Sequence, residues 1–305
     1  MANCLILLSL LYIRAATAQA SRIAPESVFG VTFDFDSKKE VTAAGLISTT
    51  NGTFFNTLEF PNADDADQGS GLVAKDIVAV YFTPSPNVFM GLINISAKAN
   101  LGSSALDSDN LLELLCVLHY CYAVRLGDDS SDNAFVRIDP FSGRITKLGN
   151  LSRWLGLRED SASIDVEHQL YHVMMLDENE NGVIVTLNTT SGHVVHFVPA
   201  PNKGFSGPMC VDAVVGLVTL DSGEGTIAIA AVDWHTGNIT SLRSSQDPIV
   251  GIPSSNGIVC KDGFLIVELI DFEKIFLMTV DLRATGAPTI HNARLKYLMH
   301  AMSAV

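Results

Sequence analysis

A pattern that returns six times constrains this chain more than any other feature. The segments CYAVRLGDDSSDNAFVRIDPFSGRIT, LYHVMMLDENENGVIVTLNTTSGHVV, VGLVTLDSGEGTIAIAAVDWHTGNIT and GFLIVELIDFEKIFLMTVDLRATGAP share one plan. An apolar strand-like run leads through a polar turn to a second β-rich run, then Asp or Asn, a few turn residues, usually Gly, and a third run. Tyr122 and Asp139, Tyr171 and Asn188, Gly216 and Asp233, and Phe264 and Asp281 are each 17 residues apart. The same offset joins Ile77 to Asn94 and Val31 to Ser48, so six units begin 46, 45, 49, 45 and 48 residues apart.

A period in the forties with alternating β-rich runs and turn signals predicts propeller blades of four strands. Each unit needs an inner strand before its marker. Candidates are Gly71 to Ala74, Leu112 to Leu118, Ala162 to Glu167, Pro208 to Val211 and Gly257 to Cys260. The first unit has no such run upstream, but the sequence closes on RLKYLMHAMSAV, where a seventh inner strand would begin. The expected fold is all-β: a six-bladed β-propeller over residues 21–305, one domain, closed by the C-terminal strand completing the first blade. Seven blades would need a unit that is not found, and two stacked β-sandwiches leave the constant offset unexplained.

The Asp-x-x-Ser/Thr-Gly hairpin at Asp139 to Gly143 and Asp233 to Gly237 resembles that of the broad group of six-bladed propeller repeat proteins, and the resemblance covers all six units. Ala231 to Ile239 is similar to part of a low-density-lipoprotein-receptor type repeat, although no Tyr-Trp-Thr-Asp occurs. Repeated WD40 endings, kelch double glycines and sialidase Asp-boxes are also missing from the sequence.

Residues 1–20 carry an apolar run from Leu5 to Ile13 followed by small residues, which reads as a secretory signal peptide; the run is too short to span a bilayer. Asn51, Asn94, Asn150, Asn188 and Asn238 head acceptor triplets for N-glycosylation, in keeping with an extracellular, secreted protein. Four cysteines follow the leader. Cys116 and Cys121 flank a four-residue turn that a disulfide would bridge, Cys210 and Cys260 fall on inner strands of adjacent units, and all three connectivities stay open.

With 33 acidic against 19 basic side chains, the net charge of -14 argues against nucleic acid as a partner. In a four-stranded blade, the crossing to the next blade and the turn between strands two and three share one face. That face gathers Asp64, Asp65, Asp67, Asp107 and Asp109 in crossings, and Asp128, Asp129, Asp132 and Asp177 in turns. The glycosylation triplets fall on the other face, except Asn150. A glycan-free acidic rim suits calcium, amines or a basic protein surface, while the ordinary alternative is that loops simply collect charge. Asp177, Asn179 and Asn181 alternate before Gly182 as oxygen ligands do in calcium loops, yet the segment also reads as a plain Asn-Gly turn.

No linear catalytic motif appears, although propeller enzymes gather single residues from several blades, and Asp165, Asp212 and His300 lie near inner strands. His168 and His172, four apart, are expected to be separated by a turn and unrelated to metal. Three functions follow: a secreted module binding a protein, glycan or cation through its acidic face; a calcium-assisted hydrolase or lyase with its site at the channel; or a structural matrix protein.

Overall fold

The structure, a computed structural model, describes residues 25–34, 41–61, 66–82, 88–107, 110–157, 162–200, 205–206, 214–219, 227–233, 235–243, 252–271, 274–282, 290–296 and 299–303. The expected leader, and Asp64, Asp65, Asp109, Cys210, Asp212 and Trp234, lie outside these residues.

Antiparallel meanders build the whole of it. Unit one contains β1 (Ser27–Asp34), β2 (Val41–Ser48) and β3 (Phe54–Pro61). Unit two is β4 (Ala66–Ala74), β5 (Ile77–Phe82), β6 (Phe89–Asn94) and β7 (Ala99–Ala105). Unit three is β8 (Leu111–Val117), β9 (Tyr120–Arg125), β10 (Ala134–Ile138) and β11 (Ile145–Asn150). In unit four, β12 (Gly156–Leu157) and β13 (Ser163–Asp165) both pair with β14 (Leu170–Leu176), which leads to β15 (Gly182–Asn188) and β16 (Val194–Pro199). Unit five is β17 (Phe205–Ser206), β18 (Val214–Thr219), β19 (Ile227–Val232) and β20 (Ile239–Arg243). Unit six is β21 (Ile252–Lys261), β22 (Phe264–Asp271), β23 (Lys274–Asp281) and β24 (Ile290–Leu295). β25 (Met299–Ser303) then returns to pair with β1, placing Phe29 opposite Ser303 and Gly30 opposite Met302.

Alternation along these strands sends side chains to both faces of each sheet, and both faces are covered, which explains runs as apolar as Ile77–Phe82. From β1, Phe29 and Val31 pack with Val78, Val80 and Phe82 of unit two. Val28, on the opposite face, packs with Ile266, Leu277, Ala293 and Leu295 of unit six. Similar apolar seams join units two and three, three and four, and five and six. In the seam between units three and four the rings of Phe135 and Tyr171 lie 4.9 Å apart, with Trp154 buried beside them, where its large ring fills the gap between sheets.

Three details depart from the sequence reading. The 17-residue offset joins direct cross-strand partners at Ile77 and Asn94 and at Phe264 and Asp281, but Asn188 faces Leu170 and Ser48 faces Ser27. The hairpins between strands two and three differ in length, so a constant spacing conceals a sliding register. Asp67 lies within β4, not in a crossing loop, because β4 resumes pairing at Ala66 beyond an irregular stretch. Finally β4 and β8 pair in parallel through Gly69 with Leu114 and Ser70 with Leu115; a Cβ on Gly71 would lie 2.5 Å from the Cys116 carbonyl oxygen.

Candidate functional site

Four turns at the end of a unit's third strand are built alike. In Ser48-Thr49-Thr50-Asn51-Gly52, Asp139 to Gly143, Asn188 to Gly192 and Asp233 to Gly237, the glycine N–H donates to the carbonyl of the first residue at 2.7–2.9 Å. The N–H of that first residue donates in turn to the carbonyl just after the glycine. Asp139, Asn188 and Asp233 also accept backbone N–H groups on Oδ1, which explains the acid or amide at that position. The glycines hold φ between +71° and +74°, and each is pressed on the unit before it. Added Cβ atoms would lie 2.2 Å from the Ala105 oxygen at Gly143, 2.2 Å from the Leu148 carbonyl carbon at Gly192 and 2.2 Å from the Pro199 oxygen at Gly237. At Gly52 the neighbour is the Arg294 oxygen of unit six, 2.3 Å away.

A side chain repeats at the same junctions. His196 Nε2 lies 2.7 Å from the His235 carbonyl oxygen of unit five, and His291 Nε2 lies 2.9 Å from the Thr50 oxygen of unit one. Both carbonyls stand two residues before the turn glycine, and both histidines stand directly across from a threonine, Thr186 and Thr279. Ser104 reaches Pro140 between units two and three.

The turns between strands two and three are organised from within. Ser131 N–H donates to Asp129 Oδ1 at 2.5 Å, starting a short 3-10 turn (Ser130–Asp132), and the hydrogen bonds from Ser131 hold the Asp129 carboxyl below its usual range. Asp107, Asp128 and Asp132 are exposed. Asp177 Oδ1 accepts from the N–H groups of Asn181 and Asn179 at 2.8 and 2.9 Å, and Oδ2 accepts from Asn181 Nδ2 at 3.3 Å. The Asn181 amide, followed by that of Asn179, lowers the Asp177 pKa. Asn179 and Asn181 are exposed beside it. Among the described residues, no three His, Cys, Asp or Glu side chains gather as metal ligands.

Unit four carries the densest polar cluster. Asp165 is buried at the end of β13; His168 follows on the turn before β14, with its Nδ1 2.7 Å from Asp165 Oδ2 and its ring two-thirds exposed. Burial works against the Asp165 carboxylate, but the His168 backbone and ring outweigh it and leave its pKa lowered, while the same hydrogen bond raises that of His168. Ser163, His172, Thr186 and His196 form a direct row across the sheet, with His172 Nδ1 3.0 Å from Thr186 Oγ1. Burial, opposed by Asp165 and assisted by His235, brings His172 down to about 4. A turn does separate His168 from His172. Sequence reasoning missed the row, and also Glu113, whose Oε2 accepts the Ala162 N–H at 2.7 Å and whose carbonyl accepts the Tyr171 hydroxyl. The match between His196 and His291 was hidden in sequence, because they stand at different distances from Asn188 and Asp281.

Of the asparagines that head acceptor triplets, Asn51, Asn94, Asn188 and Asn238 lie at or beside third-to-fourth-strand turns, and Asn150 lies at the far end of β11. Cys116 and Cys121 are disulfide-bonded across the β8–β9 hairpin, and Cys260 is disulfide-bonded as well.

No protein-family model matches the chain, and no curated protein matches it. Solved structures do. A crystal structure of TolB from Acinetobacter baumannii is similar over 91% of this chain, with a TM-score of 0.63 and 10% identity; the match spans 66% of that chain. The chain folds like a β-propeller. A nidogen/laminin complex matches with a TM-score of 0.55 and 9% identity, covering 92% of this chain and 98% of the other. The Dos1 propeller matches at 0.50 and 13%, covering 90% and 70% respectively. At such identities the likeness concerns fold alone, and function must come from the site.

Proposed function

We propose that the chain is a secreted, N-glycosylated binding or scaffold module, a closed six-bladed propeller that presents its acidic loops to a basic protein surface. The observation that carries the ring is the junction of units six and one. Gly52 against Arg294 and His291 against Thr50 repeat what Gly237 against Pro199 and His196 against His235 do between units four and five. A ring fastened in this way holds its loops in fixed positions, so that binding orders little further backbone.

Exposed Asp107, Asp128 and Asp132 favour a cationic partner, and the nidogen/laminin complex is a protein complex containing a fold of this kind. Asp64, Asp65, Asp67 and Asp109 belong to the same proposed surface by sequence. Calcium is the second guest we propose, at Asp177, Asn179 and Asn181 through Asp177 Oδ2, which accepts only the 3.3 Å bond from Asn181 Nδ2 while two backbone amides engage Oδ1.

Binding of a fluorescent arginine-rich peptide, followed by anisotropy while salt is raised, tests the reading. The expected result is binding that weakens with salt and falls when Asp128 and Asp132 are changed to Asn together. Salt-independent binding, or none, would remove the acidic face from the proposal.

A further inference from the structure

We propose that N-linked glycans on Asn150 and Asn188 sheathe the outer edge of unit four and keep it from pairing with a second copy of the chain. The inference rests on the secretion and glycosylation proposed above. β16 is the last strand of its sheet, and it is unusually apolar for an edge: Val194, Val195 and Phe197 are 40%, 54% and 42% exposed. Val195 is the extra residue of a β-bulge, since Leu187 faces Val194 while Thr186 faces His196. In unit two the corresponding bulge residue is Leu101, but its strand reads ANLGSSA and offers that one large apolar side chain. Long apolar edges invite strand addition from another molecule unless something covers them.

The two acceptor asparagines stand together where this edge begins. Gly149, next to Asn150, is pressed on Gly192 of the turn that Asn188 begins, and the Asn188 N–H donates to His193, one residue before Val194. Beyond Asn150 the chain stays against the same strand. Trp154 packs edge-on to Phe197 at 5.5 Å, and the Arg153 guanidinium lies 4.5 Å from the Phe197 ring centroid. The hydrogen bonds of Asn150 and Asn188 to their own turns engage Oδ1, whereas a glycan attaches at Nδ2. Each asparagine thus keeps its turn while carrying a sugar.

The test uses the full chain secreted from a eukaryotic host. Ser152→Ala and Thr190→Ala together erase both acceptors and leave the asparagines in place; Thr53→Ala with Thr240→Ala does the same at Asn51 and Asn238 as a control. Site-resolved mass spectrometry is expected to find glycan on Asn150 and Asn188. Light scattering should show about a doubling of mass, or more, in the first pair only. Adding Val195→Lys to that pair should restore the monomer, which a misfolded variant would not do. An unchanged mass in the first pair, failure of the lysine to reverse association, or glycan at the other acceptors but not at these two would overturn the inference. Bare asparagines at all five positions would instead sink the secretion reading and this one with it.

Discussion

The turns that follow a unit's third strand and those that follow its second strand are both short and polar, and both use Asp or Asn to cap their own amides. Their surroundings differ. Gly143, Gly192 and Gly237 press backbone on backbone against the preceding unit, and Gly52 does so against unit six, while the carboxylates of Asp129 and Asp177 accept from amides of their own turns. Spacing between units is therefore set where the third-to-fourth-strand turn of one unit meets the outer strand of the unit before it. Among the described residues, the second-to-third-strand turns carry no glycine seated in this way, and they vary in length and collect acids.

Gly192→Ala should be the most damaging change to that arrangement, because a Cβ 2.2 Å from the Leu148 carbonyl carbon adds a backbone clash to a φ of +71°. We expect a loss of about 3 kcal/mol or more by denaturant unfolding. Gly102, at φ +116° with no atom within 4 Å of an added Cβ, is the matched control; its change to Ala should cost only about 1 kcal/mol of backbone strain. Equal losses at the two positions would end the contrast between seated and open glycines.

Acid comes next. His172 stays neutral in the folded protein down to about 4, whereas the unfolded chain takes up a proton near 6.5. The unfolded state then binds more protons across that window, so stability falls as pH drops through it, by about 3 kcal/mol for a shift of this size. His172→Leu should flatten the curve there, as followed by the pH dependence of the denaturation midpoint. Asp165, with its lowered pKa, adds a loss of the same sign at lower pH, below the carboxylate range of the unfolded chain. His168, raised by Asp165, works in the opposite sense: its contribution is full below about 6.5 and fades as pH rises through its folded value.

His196→Ala and His291→Ala probe the repeated junction and should each cost about 1 kcal/mol. Similar values would support a ring in which the last junction equals an internal one; a silent His291→Ala would count against it. The smallest effect is expected at Asp177→Ala, a slight fall in Tm. Should about 1 mM calcium raise the Tm of the parent protein but not of this variant, the cation belongs there; no rise in either leaves the carboxylate as a turn cap.

Much of the fold was legible because it is periodic. The strand that returns to β1, the glycine turns and the turns that hold four acceptor asparagines all follow from imperfect copies of one pattern. What stayed hidden depends on contacts between copies. Nothing in NTTSG tells that Gly192 touches Leu148, and a buried histidine at 172 looks in sequence like any other in LYHVMML. Glu113 was equally opaque, since an acid in an apolar run shows its role only when the Ala162 amide arrives 49 residues later.

The pairing of β25 with β1 sets an order of events. During synthesis three strands of the first unit, ending at Pro61, precede their fourth partner, which begins only at Met299. Until Met299–Ser303 arrive, β1 presents an unpaired edge and Val28 lacks the cover of unit six. That edge stays open while the five units between are made. Folding of the first unit is thus bound to completion of the last, a long-range closure that slows the search for the native state.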